Sequence, residues 1–160
     1  MPLLRQSIAA VLLVILTLSL QSAGMAALIE WIRAHAKRGL HKLGPLRSAA
    51  LVVRITALMI VLHTFEILLW AGFFRWNCFP SWESAFYFST TTFSTVGYGD
   101  LVLPHSWRIL GPIEAVTGVL MCGLSASFLF AIVTRLVEHE SKIVPAPAAH
   151  SVLEPASKLA

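Results

Sequence analysis

The chain has 160 residues, of which 57% are hydrophobic and only 12% charged, about half the charge of an average soluble domain, so a soluble globular enzyme is the wrong class. Mean hydropathy is +0.77 and the formal net charge is +4. The surplus positive charge lies between apolar runs, which indicates a membrane protein with basic loops and removes nucleic-acid binding as the meaning of a pI near 9.5.

The first apolar run, Ile8 to Ile29, has no ionisable group. The second, Ile55 to Phe74, has only His63 and Glu66, and the third, Ile109 to Thr134, only Glu114. At a rise of about 1.5 Å per residue, runs of this length cross a hydrocarbon core about 30 Å thick. The expected fold is therefore an all-α membrane protein with three transmembrane helices. Between the second and third lies Trp82 to Phe93, rich in Phe, Ser and Thr. It is too short to span and reads as a re-entrant helix buried in protein, capped by Ser81 with Glu83 in its first turn.

Arg33, Lys37, Arg38, Lys42, Arg47 and Arg54 sit between the first two runs, whereas Phe74 to Trp107 has only Arg75. The positive-inside rule places the first loop in the cytoplasm, the re-entrant segment outside, and the tail with Arg135, Lys142 and Lys158 inside. A rival reading takes Arg5, the first apolar run and Gly24-Met25-Ala26 as a secretory signal cleaved after Ala26, which would reverse that topology. Both readings stand at this point. Ile32, Leu40, Leu43 and Leu46 let the basic loop lie on an anionic leaflet or serve as a plain cytoplasmic connection. From Ser141, with Pro145, Pro147 and Pro155, the chain reads as a disordered tail.

After the re-entrant helix comes Thr90-Thr91-Thr92-Phe93-Ser94-Thr95-Val96-Gly97-Tyr98-Gly99-Asp100. The run contains TVGYG and so resembles the selectivity filter of potassium channels, in which rings of backbone carbonyls, aimed at one axis, surround a dehydrated ion with oxygens. Extended chain alternates its carbonyls, so alignment needs positive φ, and Gly97 and Gly99 take it cheaply. Val96 and Tyr98 then point away from the axis into a cuff for which Trp82, Phe86 and Tyr87 are candidates. Thr95 adds a hydroxyl below the lowest ring, and the short helix aims its negative end at the entering ion.

Around this run, Ser48 to Val137 is similar to the two-helix pore domain of bacterial and two-pore-type potassium channels. The resemblance implies an outer helix Ala49 to Phe74, a pore helix Trp82 to Phe93, a K+ filter Thr95 to Gly99, and an inner helix from about Arg108 to Val137. It divides the chain into a first helix and basic loop (1–47), a pore domain (48–137) and a cytoplasmic tail (138–160). One filter segment per chain implies a homotetramer in a lipid bilayer, with the bacterial inner membrane as the expected site. Potassium is then the transported ion, and no cofactor, catalysis or nucleic acid is expected. The alternatives are a weakly selective cation pore, which Tyr98 argues against, and a non-conducting accessory subunit.

Other residues each carry two readings. Asp100 forms either a negative ring at the outer mouth or a brace behind the filter. Gly118 and Gly123 cost about 1 kcal/mol each in a helix relative to alanine. The resemblance offers a gating hinge, with Gly123 the better match, while the small-residue rows Gly118-Cys122-Ala126 and Gly123-Ser127-Ala131 offer close packing. His63 and Glu66 share a helix face, and Glu114 lies at similar depth on the inner helix. The three form either a proton-sensitive brace on the filter or a buried polar cluster that fixes packing. Thr91 stands where some relatives place an acidic residue. His105 is a lone exposed histidine. Arginine recurs at every third position in no span, which excludes a voltage sensor. Cys78 and Cys122 form no metal motif, and neither a nucleophile and base pair nor a phosphate loop is present.

Overall fold

Lipid offers no partner to a free N–H or C=O, so an apolar run that enters it must satisfy its backbone internally as a helix. The computed structural model describes residues 2–36 and 45–143 and has four helices: α1 (Pro2–Ala36), α2 (Pro45–Asn77), α3 (Trp82–Phe93) and α4 (Leu110–Ile143), with one 3-10 turn at His105–Trp107. No strand occurs among the described residues. Three of the helices are long and apolar enough to cross a membrane, over Leu3–Ala34, Leu46–Asn77 and Leu110–Arg135. The all-α membrane architecture with a short fourth helix is as expected.

Prolines mark the helix starts. Pro2 and Pro45 open α1 and α2, and Pro112 lies in the first turn of α4, where a missing N–H removes no helical bond. α3 has the expected bounds, and Ser81 caps it by accepting the Ser84 N–H at 3.1 Å. Several bounds differ from expectation, and the outer helix runs from Pro45 to Asn77 rather than from Ala49 to Phe74. The inner helix begins at Leu110, after the 3-10 helix at His105–Trp107 and a turn at residues 108–109, and it continues past Val137 to Ile143, so residues 138–143 of the expected tail are helical. The rest of the tail, and the loop residues Lys37, Arg38 and Lys42, lie outside the described residues.

α3 is held by aromatic packing on α2. Phe88 meets Phe74 edge-on at 5.2 Å and Phe79 at 5.3 Å, contacts worth about 0.5–1.5 kcal/mol each beyond their buried area. Trp70, Phe74, Ala85 and Phe93 complete this core with Leu110 and Met121 of α4. The loop before α4 folds back onto it, with Leu103 and Trp107 buried and Trp107 edge-on to Phe73 at 5.0 Å.

α1 joins the same core through Ala10 and Leu13. Its buried face also carries Gln6, Thr17 and Gln21 at helical spacing, and each has a partner across the helix boundary. Gln6 Oε1 accepts the Ile109 N–H at 3.2 Å, one of the donors that the start of α4 leaves free. Thr17 Oγ1 accepts the Trp70 indole N–H at 3.0 Å, and Gln21 donates to Ser125 Oγ at 3.0 Å. The Arg5 guanidinium stacks 4.8 Å over the Trp107 ring. Cleavage after Ala26 would strip α2 and α4 of all these partners.

Candidate functional site

α3 stops where the backbone turns left-handed. Ser94 closes the helix with its N–H and hydroxyl on the Thr90 carbonyl, and Thr95 follows at φ +62°. Gly97 and Gly99 then take φ +51° and +79°, as the sequence requires, so left-handed residues alternate with Val96 and Tyr98. The Thr95 conformation is not foreseen by a reading that assigns positive φ to glycines alone. For an L-residue it costs about 1–2 kcal/mol, and alternation at every second position is the signal that could have found it. The segment hangs from the carbonyl end of α3, with the Thr95 N–H on Thr92 O at 2.9 Å and the Gly97 N–H on Thr91 O at 3.0 Å. These bonds use carbonyls that a helix end leaves without partners.

The expected cuff is partly present within one chain. Tyr98 stacks on Tyr87 with centroids 6.4 Å apart and planes 14° from parallel. Trp82 instead meets Trp76 at 5.8 Å, and Phe86 is on the surface. Tyr98 remains 71% exposed and Val96 53% exposed.

Asp100 uses both carboxylate oxygens within the chain. Oδ2 accepts the Tyr87 hydroxyl at 2.9 Å, and Oδ1 accepts the Leu101 N–H at 3.1 Å. Thr91 Oγ1 lies 3.0 Å from both the Tyr87 and the Phe88 carbonyl of α3 and donates to one of them, and so puts no charge behind the segment.

The two inner-helix glycines differ. A Cβ at Gly118 would collide with the carbonyl of Phe93, the last residue of α3, whereas one at Gly123 would meet nothing within 4 Å. Close approach explains the first, and nothing among the described residues explains the second.

His63, Glu66 and Glu114 do not meet as one group. His63 Nδ1 lies 2.8 Å from Glu66 Oε2 on α2, while Glu114 Oε1 lies 2.5 Å from Ser89 Oγ on α3. Both glutamates are fully buried, and Glu66 Oε1 and Glu114 Oε2 have no hydrogen-bond partner among the described residues. Ser89 was not singled out by the sequence, where it is one hydroxyl in a run of several. No cluster of three or more His, Cys, Asp or Glu suited to a metal occurs among the described residues.

A family model described as an ion channel matches residues 55–135, which covers most of α2, all of α3, the left-handed segment and α4 as far as Arg135. The chain belongs to this ion channel family. No curated protein and no solved structure matches it. The match takes in α3 and the left-handed segment and leaves α1 outside, so the buried glutamines and Thr17 that dock α1 lie beyond the matched residues.

Proposed function

We propose that this ion channel conducts potassium passively, with Thr95, Val96, Gly97, Tyr98 and Gly99 of four identical chains forming the selectivity filter around a central axis. The observation that carries the reading is the alternation of positive φ at Thr95, Gly97 and Gly99 in a segment anchored to the end of a short helix. That alternation is the backbone condition for carbonyls to face one way, and a ring of four supplies the oxygens that a dehydrated ion needs. The surface positions of Val96 and Tyr98 support a ring, since a cuff completed by neighbouring copies would cover them. In this arrangement α2 is the outer helix, α3 the pore helix, and α4 the pore-lining helix with Gly123 as its hinge. Asp100 braces the filter and adds negative charge at its outer mouth. The host is the cell membrane, and no bond is made or broken during transport.

The test is the reversal potential of the purified protein in planar bilayers, with potassium on one side and sodium on the other, before and after Gly97→Ala. Alanine at φ +51° strains the filter without a steric neighbour to displace, so the chain still assembles. Reversal near the potassium equilibrium potential, lost in the variant, is the expected result. Reversal near zero makes the pore weakly selective, and no current makes the chain an accessory subunit; either outcome overturns the proposal.

A further inference from the structure

Ser89 sits in α3 between two acceptors on two other helices. Its Oγ lies 3.0 Å from the Ile67 carbonyl of α2 and 2.5 Å from Glu114 Oε1 of α4. A serine hydroxyl has one proton to donate, so it serves one of these oxygens and needs a donor from the other. A helical carbonyl has none to give. The count closes if Glu114 carries the proton: Glu114 Oε1–H donates to Ser89 Oγ, and Ser89 Oγ–H donates to Ile67 O.

The surroundings agree. Glu114 is fully buried, and among the described residues no lysine, arginine or histidine pairs with it. An ionised carboxylate there would be an uncompensated buried charge, whereas a neutral acid leaves Oε2 as a carbonyl oxygen that costs much less to bury bare. The titratable groups on the packed elements do not reverse this. α2 brings Glu66, whose Oε2 pairs with His63, so neither supplies a positive partner to Glu114. On α3, Glu83 lies in the first turn, and Tyr87 is spent on Asp100 beyond the filter. On α4 itself, Cys122 lies two turns further along, and Arg5 of α1 sits over Trp107.

We propose that Glu114 is a neutral carboxylic acid whose proton, through Ser89, latches α4 and α3 to α2 behind the filter segment. When base in the solvent removes that proton, Ser89 turns its hydroxyl to the Glu114 carboxylate and leaves Ile67, which keeps its own helical bond. α3 then loses its side-chain tie to α2, and the segment that hangs from its end through Thr91 and Thr92 loses support. The structural consequence needs only the helix packing, while the effect on current rests on the conduction reading above.

Infrared difference spectroscopy on the purified full-length chain decides the protonation. A carboxylic-acid C=O band is expected at neutral pH, absent in Glu114→Gln, shifted in Ser89→Ala and retained in Glu66→Gln. A spectrum with no such band, or one that loses it in Glu66→Gln instead, overturns the proposal. In bilayers, wild-type current is expected to fall as pH rises from neutral to alkaline. Glu114→Gln, whose amide N–H still donates to Ser89, is expected to hold its current across that range. An identical pH response in both overturns the latch. A wild type that passes no current overturns the conduction reading instead, and the infrared band then decides the latch by itself.

Discussion

The Trp70 indole N–H on α2 donates a 3.0 Å hydrogen bond to Thr17 Oγ1 on α1, with both residues fully buried. Thr17 in turn donates to the Leu13 carbonyl of its own helix at 2.9 Å, so the hydroxyl is satisfied in both directions. Thr17→Val keeps the shape and removes the acceptor, which leaves the indole N–H bare. The expected loss is about 1 kcal/mol, in the range of single interhelical hydrogen bonds in membranes, and thermal unfolding in detergent measures it. If α1 were a cleaved signal, the substitution would leave the mature protein unchanged, and an intact-mass measurement would show a chain beginning after Ala26.

Tyr87 joins α3 to the residue that follows the left-handed segment, by its hydroxyl on Asp100 and its ring on Tyr98. Tyr87→Phe keeps the stack and removes the bond. A double-mutant cycle with Asp100→Ala is expected to give a small favourable coupling in thermal unfolding, small because the pair is exposed. A coupling of zero would mean that Asp100 acts through its charge alone.

Length and the scarcity of charge made the three spans and α3 legible, because in lipid those two quantities leave a helix as the one solution. The Ser81 cap and the positive φ of Gly97 and Gly99 were legible from residue type in the same way. What could not be read was pairing between distant segments. His63 and Glu66 share a helix face by spacing, but nothing in periodicity says that Glu114 turns to Ser89 rather than to them. Gln6, Thr17 and Gln21 interrupt an apolar run without marking which helix they will meet. Thr95 was missed because β-branched residues avoid the conformation it takes, and only its place in an alternating backbone imposes it.

Cys78 lies just beyond α2, half-buried, and burial pushes its thiol up to about 11 from an ordinary 9.0. The neutral thiol is thus the form the fold prefers. Its contribution to stability is complete below about 9 and is lost as pH rises through about 11. At neutral pH the thiolate fraction is about a hundredfold below that of a free cysteine, by the difference of two units. Maleimide labelling in a Cys122→Ser background is expected to run about a hundredfold slower in the native than in the denatured protein. Equal rates would show that Cys78 is solvated.

Gly118 and Gly123 lie in one helix, yet their substitution by alanine is expected to act in opposite directions. At Gly118 the added methyl meets the Phe93 carbonyl, a backbone atom that cannot step aside without moving the end of α3. Overpacking of this kind costs about 1–3 kcal/mol. At Gly123 nothing among the described residues opposes the methyl, and the gain in helix propensity is up to about 1 kcal/mol. Thermal unfolding should therefore rank Gly123→Ala above wild type and Gly118→Ala below it. If Gly123 is the hinge of a conducting pore, the same Gly123→Ala protein should also open less often in bilayers, since the stiffening that raises its stability opposes bending. A fall in stability at Gly123 matching that at Gly118 would place a neighbouring copy against it and make it a packing residue as well.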